Sequence, residues 1–161
     1  MNLIIQIWGS IKEGIKEDER GEPLEKWTVK ADQYPIPFWS VELFIKQGLS
    51  PEYLGKKWLE PCAGDGNIIK AANSLIPNLE WSARELRPDY YNGLNKLYED
   101  GQIKDFTIGS FLDDTITRPE RQWDVILSNP PYTLTTEFLF KSLKVSKYVI
   151  FLLSLNYLGS Q

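Results

Sequence analysis

The 161 residues are 42% hydrophobic and 25% charged, a balance that fits one soluble globular domain and excludes a disordered tail. A net charge of −4 argues against strong non-specific nucleic-acid binding, which phosphate neutralisation drives. With no histidine and one cysteine, Cys62, the chain has no intrachain disulfide, no zinc centre and no histidine-activated nucleophile.

The first stretch, Met1-Asn2-Leu3-Ile4-Ile5-Gln6-Ile7-Trp8, lacks a basic n-region and a small-residue cleavage site, so it does not read as a signal peptide. No apolar run reaches the eighteen or so residues that span a bilayer. A cytoplasmic protein that binds neither membrane nor metal is therefore expected. After residue 8 the chain becomes strongly charged, and residues 1–30 read as an N-terminal appendage ahead of a single domain over 31–161.

Tyr34-Pro35-Ile36-Pro37 is a rigid extended piece, followed by an amphipathic helix over 38–46. Ser50-Pro51-Glu52 reads as a helix N-cap with proline at the first helical position. A short strand at 57–60 ends in Pro61-Cys62-Ala63-Gly64-Asp65-Gly66, and a helix over 67–75 follows. The next strand spans 81–86, with a helix from Pro88 through Tyr98. A weaker third strand covers 106–109, a fourth 123–127, a helix 135–145 and a fifth strand 148–155. Strands alternating with helices predict an α/β fold with a mostly parallel sheet and helices on both faces.

Two turns in this pattern carry chemistry. The first follows Glu60, where glycines let the backbone approach a ligand closely. Its single G-x-G, without a third glycine or a P-loop lysine, excludes a Walker phosphate cradle and by itself also fits an ordinary βα turn. Glu85, about twenty residues on at the end of the next strand, can accept both hydroxyls of a ribose. Glu60 can meet the ammonium of an amino acid. A ligand with a ribose, an adenine and an amino acid but no phosphate is S-adenosylmethionine. Cys62 reads as a small buried residue of the turn rather than a reactive thiol.

The second turn is Ser128-Asn129-Pro130-Pro131-Tyr132, directly after the apolar strand at 123–127. Open α/β sheets bind ligands at the carboxyl ends of their strands. Two prolines fix φ and donate no hydrogen bond, so the Asn129 and Pro130 carbonyl groups are expected to remain free. The Asn129 amide oxygen and a main-chain carbonyl can then accept the two hydrogens of an exocyclic amine, with Tyr132 stacked on its ring. A proline-rich turn closing a core strand is the plainer reading. Lys141, Lys144 and Lys147 follow as a solvated helix face or a local basic lip.

These motifs together resemble the DNA amino-methyltransferases, in particular the adenine-N6 type of phage and restriction–modification systems. The resemblance runs from about Asp32 to Ser160. It implies a Rossmann-like methyltransferase fold, S-adenosylmethionine as cofactor, and DNA as partner, with the target adenine flipped out of the duplex. It assigns the catalytic motif to Asn129, Pro130, Pro131 and Tyr132. It places cofactor contacts at Tyr34, Pro37, Glu60, Pro61, Ala63, Gly64, Gly66, Glu85, Leu86, Phe111 and Asn129. Ile36-Pro37 stands where the family usually has Thr-Pro, and Ser110-Phe111 where it usually has Asp-Phe.

The family's sheet has seven strands, whereas five are expected here. The fold therefore reads as truncated after the fifth strand, with the later strands and a target-recognition domain beyond Gln161 or on a partner subunit. Enzymes acting on RNA adenine or on protein glutamine use the same Asn-Pro-Pro-Tyr element. A non-catalytic cofactor-binding fragment is the remaining alternative.

Overall fold

The computed structural model describes residues 2–8, 36–49, 54–115, 117 and 122–154. Tyr34 and the capping sequence expected at Ser50-Pro51-Glu52 lie outside them. Six strands, β1 (Asn2–Trp8), β2 (Lys57–Glu60), β3 (Glu80–Glu85), β4 (Asp105–Ile108), β5 (Trp123–Ser128) and β6 (Ser146–Ser154), form one sheet in the order β1-β6-β5-β2-β3-β4. Every neighbouring pair is parallel. The four helices are α1 (Phe38–Gly48), α2 (Asn67–Leu75), α3 (Tyr91–Glu99) and α4 (Thr135–Val145). A 3-10 turn at Pro88–Tyr90 leads into α3, and another at Tyr132–Leu134 leads into α4.

The five strands expected between 57 and 155 are all present. One expectation needs correcting: Asn2–Trp8, read as part of an appendage, is a sixth strand paired with β6 from Asn2↔Tyr148 to Trp8↔Ser154. An apolar run followed by charges carried no signal of a strand partner some 140 residues away.

Alternation along the strands splits the core into two layers. Trp58, Trp81, Ala83, Val125, Leu127, Ile150 and Leu152 face α1, α2 and α3. The intervening Leu59, Ile126, Val149, Phe151 and Leu153 face α4. At the centre of the first layer the Trp58 and Trp81 rings meet edge to face at 5.4 Å. Both indoles are satisfied, Trp58 Nε1 donating to the Gly55 carbonyl (3.0 Å) and Trp81 Nε1 to Asn73 Oδ1 (3.1 Å).

The second face is covered unevenly. α4 packs on β5 and β6, but the connection from β4 to β5 has no helix among its described residues. Over β3 and β4 that face carries a polar group instead. Arg84 Nη1 donates to Asp105 Oδ1 (2.7 Å) and Ser82 Oγ to Asp105 Oδ2 (2.7 Å), while the guanidinium sits 5.8 Å from the Trp123 ring centre. Lys57, Lys104 and Arg84 line a cavity of about 410 Å³ at this end, where the strands begin.

Candidate functional site

The strand order reverses between β2 and β5: from β2 the sheet runs through β3 to β4 on one side, and through β5 to β6 on the other. Adjacent chain ends diverge at such a switch point and leave a crevice beyond the carboxyl ends of the strands. Glu60 ends β2 and Ser128 ends β5, so the glycine turn and the Asn-Pro-Pro-Tyr loop leave the sheet side by side.

Backbone geometry explains the two glycines differently. Both have positive φ, 50° at Gly64 and 71° at Gly66. A Cβ on Gly66 would overlap the Cδ1 of Leu97 in α3, so that glycine lets helix and turn pack. A Cβ on Gly64 would meet nothing within 4 Å, so that glycine borders open space. Gly64→Ala is expected to cost about 1 kcal/mol for the left-handed backbone alone. Gly66→Ala is expected to cost more, about 1–3 kcal/mol, because Leu97 must also move. Urea unfolding midpoints of the two variants test this order.

Two carboxylates flank the turn. Glu85, at the end of β3, is buried and closes onto main-chain amides: Gly64 N donates to its Oε2 (2.8 Å) and Arg87 N to its Oε1 (2.9 Å). Ala63 N donates to the Arg84 carbonyl (2.9 Å), which fastens the turn to β3 a second time. Each Glu85 oxygen keeps a further lone pair for another donor.

Glu60 is only 1% exposed, and its Oε2 has no hydrogen-bond partner. Burial first, then the negative charge of Glu85, pushes its carboxyl well above the ordinary value; a hydrogen bond with the Ser128 side chain partly opposes this. A buried carboxyl with an orphaned oxygen is costly unless a cation or donor arrives to satisfy it.

The Asn-Pro-Pro-Tyr loop is tied to the glycine turn through Cys62. The Cys62 thiol sulfur lies 2.9 Å from Ser128 Oγ, and the thiol donates to the Asn129 carbonyl at 3.3 Å. The Asn129 carbonyl is thus not free as expected; the thiol of the neighbouring turn takes it. Cys62 is half-buried rather than buried. Desolvation and the nearby Glu60 and Glu85 carboxylates push its thiol well above the usual range, against the Ser128 hydrogen bond, so it stays a protonated donor. The Pro131 carbonyl caps the following helix, accepting from Leu134 N (3.0 Å) and Thr135 Oγ1 (3.1 Å). Tyr132, like Cys62, is half-buried and packs against the second core layer.

Other expected contacts fall in varied places. Pro61, Ala63 and Gly66 are buried in the turn, while Leu86, 60% exposed, projects apolar surface beyond β3. Pro37 starts α1, its carbonyl accepting from Ser40 N and Oγ. Phe111 departs from expectation. It is 1% exposed, with its ring 5.2 Å from that of Phe138, so it serves as core and presents no face to a ligand. Lys141 is likewise neither a solvated face nor a basic lip: it is buried, paired with Asp114, and lies 6.0 Å from the Phe111 ring centre. Lys144 and Lys147 are exposed. Ser128 was legible only as the first residue of the turn after the strand at 123–127, and its contact with Cys62 had no sequence signal.

No family model matches the chain, and no curated protein does. Solved structures do match. PH1948 of Pyrococcus horikoshii, a candidate RNA methyltransferase, has a TM-score of 0.60 at 20% identity, with 78% of this chain and 64% of that one covered. TrmN of Thermus thermophilus gives 0.54 at 22% identity, covering 75% and 39%. The O-methyltransferase TomG of Streptomyces achromogenes, solved with S-adenosylmethionine, gives 0.55 at 20% identity, covering 72% and 56%. This is the Rossmann-like methyltransferase fold. The chain spans less than two thirds of the length of each of these three structures. Among the described residues no group of His, Cys, Asp and Glu could hold a metal ion, and no helix is long and apolar enough to cross a membrane.

Proposed function

We propose that this chain binds S-adenosylmethionine at the switch point and methylates the N6 amine of adenine in DNA. The observation that carries this reading is the contact between the glycine turn and the Asn-Pro-Pro-Tyr loop, made where Cys62 meets Asn129. The residues fit the cofactor on two counts. The orphaned Oε2 of Glu60 suits an ammonium, and the open space over Gly64 admits a ligand against the backbone.

When bound, S-adenosylmethionine supplies a methyl group on a positively charged sulfur. Glu60 would hold the ammonium of its amino-acid moiety, Glu85 the ribose hydroxyls through its remaining lone pairs, and Leu86 would lie against the adenine. On the acceptor side, an N6 amine is a poor nucleophile because its lone pair is delocalised into the ring. The Asn129 side-chain oxygen and the Pro130 carbonyl would accept its two hydrogens and favour a tetrahedral nitrogen. These hydrogen bonds strengthen as positive charge develops on that nitrogen, so they act on the transition state more than on the ground state. Alignment of the two substrates supplies much of the remaining gain. Tyr132 would hold the flipped base by stacking worth roughly 1–3 kcal/mol. No titrating base is needed, in keeping with a chain without histidine.

The acceptor chemistry is shared by adenine in RNA and glutamine amides in protein. Tritium transfer from methyl-labelled cofactor to unmethylated DNA, RNA and protein, run in parallel, separates them. Label is expected in DNA, as N6-methyladenine. Label in RNA or protein alone moves the substrate assignment, and cofactor binding with no transfer to any of the three overturns enzymatic activity for this chain by itself.

A further inference from the structure

Arg84 has more donors than its neighbours take up. Its Nη1 donates to the Ala83 carbonyl (2.8 Å) and to Asp105 Oδ1 (2.7 Å). Its Nε is buried with no hydrogen-bond partner, and Nη2 makes no hydrogen bond to a described residue. In a planar guanidinium the Nε–H and one Nη2–H project in parallel from the same edge. That fork matches two oxygens of a carboxylate or a phosphate. Here the whole edge is unused, in a side chain only 9% exposed. Buried polar groups are ordinarily hydrogen-bonded, so an orphaned donor on a charged group calls for an acceptor.

The surroundings favour an anion. Arg84 lines the cavity of about 410 Å³ at the amino ends of the strands, with Lys57, Lys104 and Glu80. Lys57 opens β2, Glu80 opens β3, and Lys104 directly precedes β4. Neither lysine is in an ion pair with a described residue. The acid paired with the guanidinium is already engaged, because Asp105 accepts from Arg84 through Oδ1 and from Ser82 through Oδ2 (2.7 Å). Setting that pair aside leaves two cations against Glu80. The Trp123 ring, 5.8 Å from the guanidinium carbon, backs the fork from β5. Apart from Trp123, every lining residue is polar or charged. The volume falls within the range of small-molecule sites, roughly 300–1,000 Å³. Polar walls of this size suit a small organic anion.

We propose that this cavity is a second binding site, which takes a small polar molecule through a carboxylate or phosphate group seated on the Nε–Nη2 edge of Arg84. Lys57 and Lys104 supply the flanking positive charge. Nε is shielded from solvent, so the guanidinium must tilt toward the cavity for both N–H groups to bond. The site stands independently of the proposed methyl transfer, whose crevice lies beyond the opposite, carboxyl ends of the strands.

Calorimetry on the full chain with inorganic phosphate, glycerol phosphate and succinate is the test. Saturable binding of at least one probe at a single site is expected, and the probe that binds identifies the oxyanion. Arg84→Lys keeps the charge but loses the fork, and should weaken that binding at least about tenfold. The double variant Lys57→Gln/Lys104→Gln changes only exposed side chains. It should weaken binding by about the same factor and flatten its dependence on salt. With 15N-arginine labelling, the Nε–H signal that disappears in Arg84→Lys is expected to shift as the probe saturates. No saturable binding of any probe, or unchanged affinity in the lysine variant, overturns the site. If Arg84→Lys fails to fold, the wild type and the lysine variant still decide. S-adenosylhomocysteine is expected not to compete with the probe. Displacement of the probe by it would place the anion in the crevice and overturn the assignment, whereas its failure to bind counts only against the methyl-transfer reading.

Discussion

Asn129→Ala is expected to lower methyl transfer by about 10²–10³-fold, the scale seen when one transition-state hydrogen-bonding group is removed from a water-poor site. The loss should fall on kcat, because the amide oxygen strengthens its hydrogen bond only as charge builds on the acceptor nitrogen. Cofactor affinity should stay nearly unchanged. Alanine keeps the main-chain carbonyl that Cys62 engages, so the link between loop and glycine turn survives the substitution. Single-turnover transfer alongside calorimetry with S-adenosylhomocysteine separates the two effects. Loss of cofactor affinity equal to the loss of transfer would show that Asn129 serves the cofactor side and would overturn the division of roles.

Glu60→Gln is expected to weaken cofactor binding by at least about 30-fold, since truncating one partner of a buried charge pair costs some 2–5 kcal/mol. The same substitution should remove a pH dependence. In the ligand-free protein the Glu60 carboxyl is held above its ordinary value of 4.5, first by burial and then by Glu85. Between 4.5 and its native value the folded state therefore binds more protons than the unfolded state, and stability falls as pH rises through that window. The contribution is complete below 4.5 and lost above the native value. Binding of an ammonium ligand favours ionised Glu60, so affinity should rise with pH over the same range and binding should release a proton. Calorimetry in buffers of different ionisation enthalpy measures that proton. A pH-independent affinity in the wild type would remove Glu60 from the ammonium's surroundings.

Much of this arrangement was legible in the amino-acid order. The strand at 57–60 and the helices at 67–75 and 135–145 fall where alternation and turn residues place them, because each is local and bounded by glycine, proline or a polar cap. The nearness of Glu60, Glu85 and Asn129 followed from parallel strands that share one carboxyl edge. What was hidden is what depends on partners distant in sequence. Phe111 is an aromatic beside a strand end in either role, and only its contact with Phe138 makes it core. Lys141 carries the same charge on a solvated face or in an ion pair, and Asp114 decides between them. Helices were expected on both faces of the sheet, yet among the described residues none covers β3 and β4 on the second face. Ser82 and Arg84, both polar and both on that side of β3, were the available hint.

β1 sets an order on biosynthesis. Its seven residues, Asn-Leu-Ile-Ile-Gln-Ile-Trp, leave the ribosome well before the strand that pairs with them, which begins at Ser146. Until that strand emerges, an uncharged and strongly β-prone segment has no native neighbour, the condition in which edge-to-edge association between nascent chains competes with folding. The charged stretch from Lys12 to Arg20 emerges directly behind it and supplies the flanking charge that opposes such association.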